Sequence, residues 1–304
     1  MVITMLNSFV ALSLCIVVGF FSRRRRLLDD NHAKSFSDLL MNITLPCTVF
    51  ISFMRPFSTE LLVESLATFI ITGIIFVAGG YIGLFVAKLT KASAGEVQGL
   101  RFGSAFGNVA FMGIPIVSAV FGDEGLIYVS MTIASFNLLV FTHGVRMFDN
   151  APKNINLKAL IIKTPALPAL FLGFIFFVTG IRLPPSLEGG IGMIASMTTP
   201  LSMILIGMIL AKQRLKDALM DIKMMPPVCV RLVIVPLLSF FILRIFISNP
   251  LMLDVIITLM AMPPAAVTVI FAEQYEADGM AAARFVVVST IVCVVTVPLI
   301  SLLF

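Results

Sequence analysis

Few side chains able to do chemistry fall within the apolar stretches of this chain, and the most informative lie in three interrupted runs. These read Asn42-Ile-Thr-Leu-Pro46, Gly107-Asn108-Val-Ala-Phe111-Met112-Gly113-Ile-Pro115 and Met260-Ala-Met-Pro263-Pro264. Proline lacks an N–H and clashes with the carbonyl four residues back, so each run predicts a broken or bent helix. Gly107 and Gly113 permit backbone angles that other residues resist. A break near Pro115, with Pro115 at the start of the outgoing half-helix, leaves N–H groups at a positive dipole end. Two such ends meeting at Pro115 and at Pro263-Pro264 suit a carboxylate. The Asn108 amide can both donate and accept, as substrate ligand or as partner of broken backbone. Asn42 and Pro46 are expected to face the same cavity. Asn137, within a further apolar run, faces protein rather than lipid, as a ligand or as an interhelical hydrogen bond. Phe111 and Met112 are placed beside an apolar part of the pocket by position alone.

Other chemistry is missing. Two histidines without a central acid make no catalytic constellation, so the chain does not read as an enzyme. The four cysteines stand singly, with no CxxC, so neither a metal site, a cofactor nor a disulfide framework is indicated. No Asp, Glu, Lys or Arg is expected at the centre of any apolar run, and residues 260–270 hold no acid. That speaks against tight sodium or proton coupling.

The elements that must position these residues follow from composition. Of 304 residues, 59% are hydrophobic and 12% charged. A soluble surface needs about twice that charge, so most of this surface faces lipid. Ten apolar segments can be drawn, over 3–22, 35–54, 61–87, 97–121, 125–145, 157–179, 191–211, 226–247, 251–275 and 283–304. The loops are short. Arg23 to Arg26 follow the first segment rather than precede it, which predicts a retained helix and not a cleaved leader.

Orientation comes from the 21 Lys and Arg residues. With the N-terminus outside, all fall on inside flanks except Arg55, Arg182 and Arg244, and Arg231 is counted among the inside flanks. Both termini are then outside. The net charge of +5 therefore reads as topology rather than nucleic-acid binding. The paired interruptions, at Pro46 with Pro200 and at Pro115 with Pro264, each lie about half the chain apart. Residues 1–150 and 151–304 therefore read as two five-helix repeats, the second inverted. The expected fold is all-α and integral to the membrane, with ten transmembrane helices and crossed, interrupted helices 4 and 9.

The three motifs together, with the tail Ala272-Glu-Gln-Tyr-Glu-Ala-Asp278, resemble the auxin efflux carrier family over the whole chain. That family includes plant auxin exporters and bacterial carriers of malonate or malate, and its fold resembles those of bile-acid symporters and sodium/proton antiporters. The resemblance implies a carrier for a small organic anion, an elevator-type motion and often a homodimer. It implies a scaffold of helices 1, 2, 6 and 7, with helices 3–5 and 8–10 moving. It also places Asn108 in a substrate or ion site. The short segment from Met147 to Asn156 fits a bacterial-type member, in a bacterial inner membrane. A sodium-coupled carrier, a channel and a receptor are the alternatives. No filter residues and no signalling domain favour the last two.

Overall fold

A computed structural model describes residues 2–150, 165–212 and 222–303. The start of the sixth expected segment and the basic residues Lys153, Lys158, Lys163, Arg214 and Lys216 lie outside the described residues. Those described form an all-α protein. The helices are α1 (Val2–Arg24), α2 (Asp30–Leu39), α3 (Leu45–Ser52), α4 (Thr59–Leu89), α5 (Ala94–Ala105), α6 (Ile114–Phe121), α7 (Leu126–Leu139), α8 (Ala166–Thr179), α9 (Pro185–Ser196), α10 (Thr198–Lys212), α11 (Met225–Cys229), α12 (Val235–Leu243), α13 (Pro250–Met260), α14 (Val267–Gln274) and α15 (Gly279–Ile300). Six stretches are long and apolar enough to cross a membrane: Asp30–Ser52, Thr59–Leu89, Asp123–Met147, Pro185–Ala211, Met225–Leu243 and Gly279–Leu303. Val109–Phe121, Ala166–Thr179 and Pro250–Met260 are shorter apolar helices. Along α4, Val63, Leu66, Ile70, Ile74 and Phe85 are exposed. A water-facing helix would not carry such a stripe, and lipid accommodates it.

Prolines shape these helices in a way the sequence reading did not anticipate. Wide π-turns occupy Leu40–Thr44, Val109–Gly113 and Val230–Ile234, and each ends two residues before a proline: Pro46, Pro115 and Pro236. In the first, the Leu45 N–H reaches back five residues to the Leu40 carbonyl, and Val235 does the same to Val230. The wider turn moves the carbonyl that a proline ring would strike, so the helix continues past the proline. The helices therefore run through Pro46 and Pro115 without a break. The expectation of a break at Pro115 is corrected: the non-helical residues of the fourth segment are Phe106 to Asn108, upstream of the π-turn. In the ninth segment the break falls at Pro263-Pro264, as the double proline predicts, between α13 and α14.

The chain divides into two compact units. The first comprises Met1–Phe69, Ala110–Ala134 and Asn156–Gln213. In it α1 packs on α10 through two glycines. A Cβ on Gly19 would strike the Ile204 backbone, and one on Gly207 the Ile16 carbonyl. Backbones at that distance are how helices associate where lipid removes the hydrophobic drive. Buried hydroxyls pair nearby: Thr48 with Thr198 at 2.8 Å and Ser52 with Ser130 at 2.7 Å. The Tyr128 hydroxyl donates to Glu64 at 2.6 Å.

The second unit comprises Ile70–Val109, Ser135–Ile155 and Arg214–Phe304. Its organising line is Gly95, Gly99, Gly103 and Gly107, one glycine every fourth residue. The first three press α5 against Asp278, Ala282 and Phe285 at the start of α15. Ser93 caps α5 in a reciprocal box with Glu96, which fixes where the helix starts.

Candidate functional site

Both breaks of the second unit satisfy each other. The Asn108 N–H donates to the Pro263 carbonyl at 2.7 Å, and the Ala265 N–H donates to the Phe106 carbonyl at 3.0 Å. Gly107 and Pro264 thus face each other as an antiparallel bridge. Broken backbone in an apolar interior must find partners, and here each break is the other's partner. The N–H groups of Asn108 and Ala265 are consequently engaged. The expectation of open positive ends does not extend to these two N–H groups.

The two breaks leave three carbonyls without their helical donors. Ser104 O and Ala105 O would normally accept from Asn108 and Val109, but the first N–H goes to Pro263 and the second to Gly107 O at 2.8 Å. Met262 O likewise ends an interrupted ladder. All three are taken by one side chain, Arg231. Its Nε donates to Met262 O at 2.9 Å, and its Nη1 to Ser104 O at 3.3 Å and Ala105 O at 3.4 Å. Arg231 is 0% exposed. Nη2 has no hydrogen-bond partner among the described residues. It lies against Gly107, where a Cβ would overlap the guanidinium. The fourth glycine of the line therefore makes the room that the arginine fills.

Arg231 corrects its own assignment to the inside flanks, because it is fully buried. It lies in the π-turn Val230–Ile234, inside the stretch Met225–Leu243, and is not a loop flank. Taking it off the inside flanks leaves the charge bias intact. Burying a guanidinium costs several kcal/mol even after relaxation. Among the described residues the ion pairs are Arg23–Asp30 and His32–Asp29, so no carboxylate offsets it. The compensation comes from helix ends. The carbonyls it holds close the C-termini of α5 and α13, each carrying roughly half a negative charge. At the break itself the buried Phe106 ring packs, tilted, against Phe102 at 4.8 Å and Phe76 at 5.6 Å.

The ten residues singled out by sequence are distributed unequally. Asn108, Pro263 and Pro264 come together at the bridge, with Asn108 half-buried and both prolines buried. Asn137, 9% exposed, lies in the same unit on α7. Asn42, Pro46, Phe111, Met112, Gly113 and Pro115 belong to the first unit. The Asn42 amide is exposed and donates to the Asp38 carbonyl one turn back at 2.8 Å. Met112 and Pro115 are buried, and Phe111 is half-buried. Sequence reasoning missed Arg231, although two signals were present. The double proline deletes two backbone donors at one place, and the four-residue glycine spacing marks the helix able to admit a large side chain there.

A family model described as membrane transport protein matches residues 4–159 and 153–301. An "Uncharacterized transporter" of Methanocaldococcus jannaschii is 25% identical over 90% of this chain and 91% of its own length. The "Uncharacterized transporter YfdV" of Escherichia coli is 23% identical over 97% of each chain. A "Putative malonate transporter" of Rhizobium meliloti is 24% identical over 76% of this chain and 72% of its own.

Proposed function

Because the chain belongs to the auxin efflux carrier family of membrane transport proteins, we propose that it is a secondary transporter of a small organic anion, a mono- or dicarboxylate such as malonate. The carrying observation is electrostatic. Four half-helix ends meet around the bridge, two negative and two positive, and roughly cancel. Arg231 then adds about one positive charge, with no carboxylate paired to it among the described residues. A polar point of that sign inside apolar surroundings favours an anion over a cation. The malonate name of one relative agrees with that class.

In this reading the chain spans a plasma membrane ten times, as two inverted five-helix repeats with both termini outside. Asn108 orients the substrate beside the bridge, and Asn137, Pro263 and Pro264 of the same unit belong to its site. Access alternates by an elevator-type movement of transmembrane helices 3–5 and 8–10 against a scaffold of helices 1, 2, 6 and 7, as in the family. The protein works as a homodimer in the bilayer, without a cofactor.

Counterflow in proteoliposomes tests the function. Vesicles loaded with unlabelled malonate should accumulate labelled malonate above equilibrium, and a panel of carboxylates should compete. If no carboxylate in the panel drives counterflow through folded protein, the reading fails.

A further inference from the structure

Among the described residues, Arg231 is a fully buried arginine whose hydrogen bonds go to backbone carbonyls. Three oxygens, from Ser104, Ala105 and Met262, converge on it from two different helix ends. Converging backbone carbonyls at helix C-termini are the arrangement that coordinates a bare monovalent cation in a membrane interior. Here the place is already filled by a charge covalently tied to the chain. We propose that Arg231 is a resident cation of the bridge, occupying the seat that a monovalent ion would otherwise take, so that the transport cycle needs no bound sodium or potassium. The proposal rests on the reading above for the transport cycle, but its ion geometry stands on the hydrogen bonds alone.

The chemistry supports a fixed occupant over a structural accident. Ser104 O has lost its helical donor to the bridge, Ala105 O has lost its donor to Gly107 O, and Met262 O ends an interrupted ladder, so some donor or cation must serve them. A neutral side chain of similar length offers too few donors. The guanidinium is planar, keeps its charge and supplies N–H groups in a fixed fork. Gly107 removes the one Cβ that would exclude it. Arg231 is thus a positioning residue: it holds both breaks in register and need not touch the substrate.

The test uses the full-length protein purified in detergent, with melting temperature as the readout, so it requires no known substrate. Wild type should melt at the same temperature in sodium chloride, potassium chloride and choline chloride. Arg231→Ala should melt lower in choline chloride, and rise by at least about 3 °C when sodium or millimolar guanidinium chloride is added, as expected for a ligand that binds only the folded form. Wild-type melting that depends on sodium overturns the proposal, as does a folded Arg231→Ala indifferent to every cation. Should Arg231→Ala yield no folded protein, Arg231→Lys decides: the ammonium keeps the charge and should give a folded, cation-indifferent protein. A lysine variant that needs added sodium would overturn it. Failed counterflow leaves these melting results standing, and a failed melting result leaves counterflow standing, so the two readings fall separately.

Discussion

The two units solve one problem, burying polar groups away from water, by different means. In the first unit the polar groups are side chains that pair two by two: Thr48 with Thr198, Ser52 with Ser130, Tyr128 with Glu64. The backbone ladders beneath them remain continuous or bend through π-turns. In the second unit the backbone itself is broken, and its groups are served by another break and by Arg231. Pairwise side-chain bonds can be lost singly at modest cost. The bridge cannot, because each of its bonds fixes the place of the next.

That contrast predicts a graded series of substitutions. The largest effect should come from Gly107→Val, whose side chain would overlap the Arg231 guanidinium. Displacing a buried charge from its partners costs about 3–5 kcal/mol. The variant should therefore lose most of its monodisperse fraction in detergent. A wild-type melting curve would show that the bridge tolerates repacking and the contrast is false.

Asn108→Ala should lower substrate affinity roughly tenfold to a hundredfold, the effect of one hydrogen bond to a charged partner of about 1.5–3 kcal/mol. Its melting temperature should stay near wild type. Measuring both separates a ligand from a residue that merely holds the fold; unchanged affinity in folded protein removes Asn108 from the site.

In the first unit, Gly207→Ala pushes a methyl into the Ile16 carbonyl and should cost about 1–3 kcal/mol. Transport per folded molecule should be retained, which activity normalised to folded protein would check. Ser52→Ala leaves Ser130 alone and should cost about 1 kcal/mol, read as a small fall in melting temperature. The smallest effect belongs to Gly189→Ala on α9, where a Cβ meets nothing within 4 Å. It should be neutral or raise stability by up to about 1 kcal/mol, since alanine is the better helix former. Destabilisation there would point to an unseen neighbour on that helix.

The apolar runs were legible because hydrophobicity is summed over twenty residues and survives local error. The double proline at Pro263-Pro264 was legible for a different reason: two adjacent missing donors leave a helix no local remedy. Pro115 misled because a lone proline has such a remedy, the π-turn at Val109–Gly113, which no residue type announces. The true break at Phe106 to Asn108 is maintained from the far side, by bonds to Pro263 and Ala265. Long-range pairing of that kind leaves no local trace. Arg231 was hidden by its position near the end of an apolar segment, where a cation ordinarily reports topology. Only the three carbonyls waiting for it, all distant in sequence, reveal its burial.

The π-turns carry one consequence for how such chains can change over time. A regular helix turns roughly 100° per residue, and a π-turn holds one residue more than the helix around it needs. Everything past the bulge is therefore rotated by about that angle relative to an uninterrupted helix. Deleting a single residue between Val230 and Ile234 would restore ordinary winding while keeping nearly every side chain. It would also turn the residues of α12 to a different compass bearing relative to Arg231. At that place a one-letter gap between two related chains is a change of aim rather than a change of length.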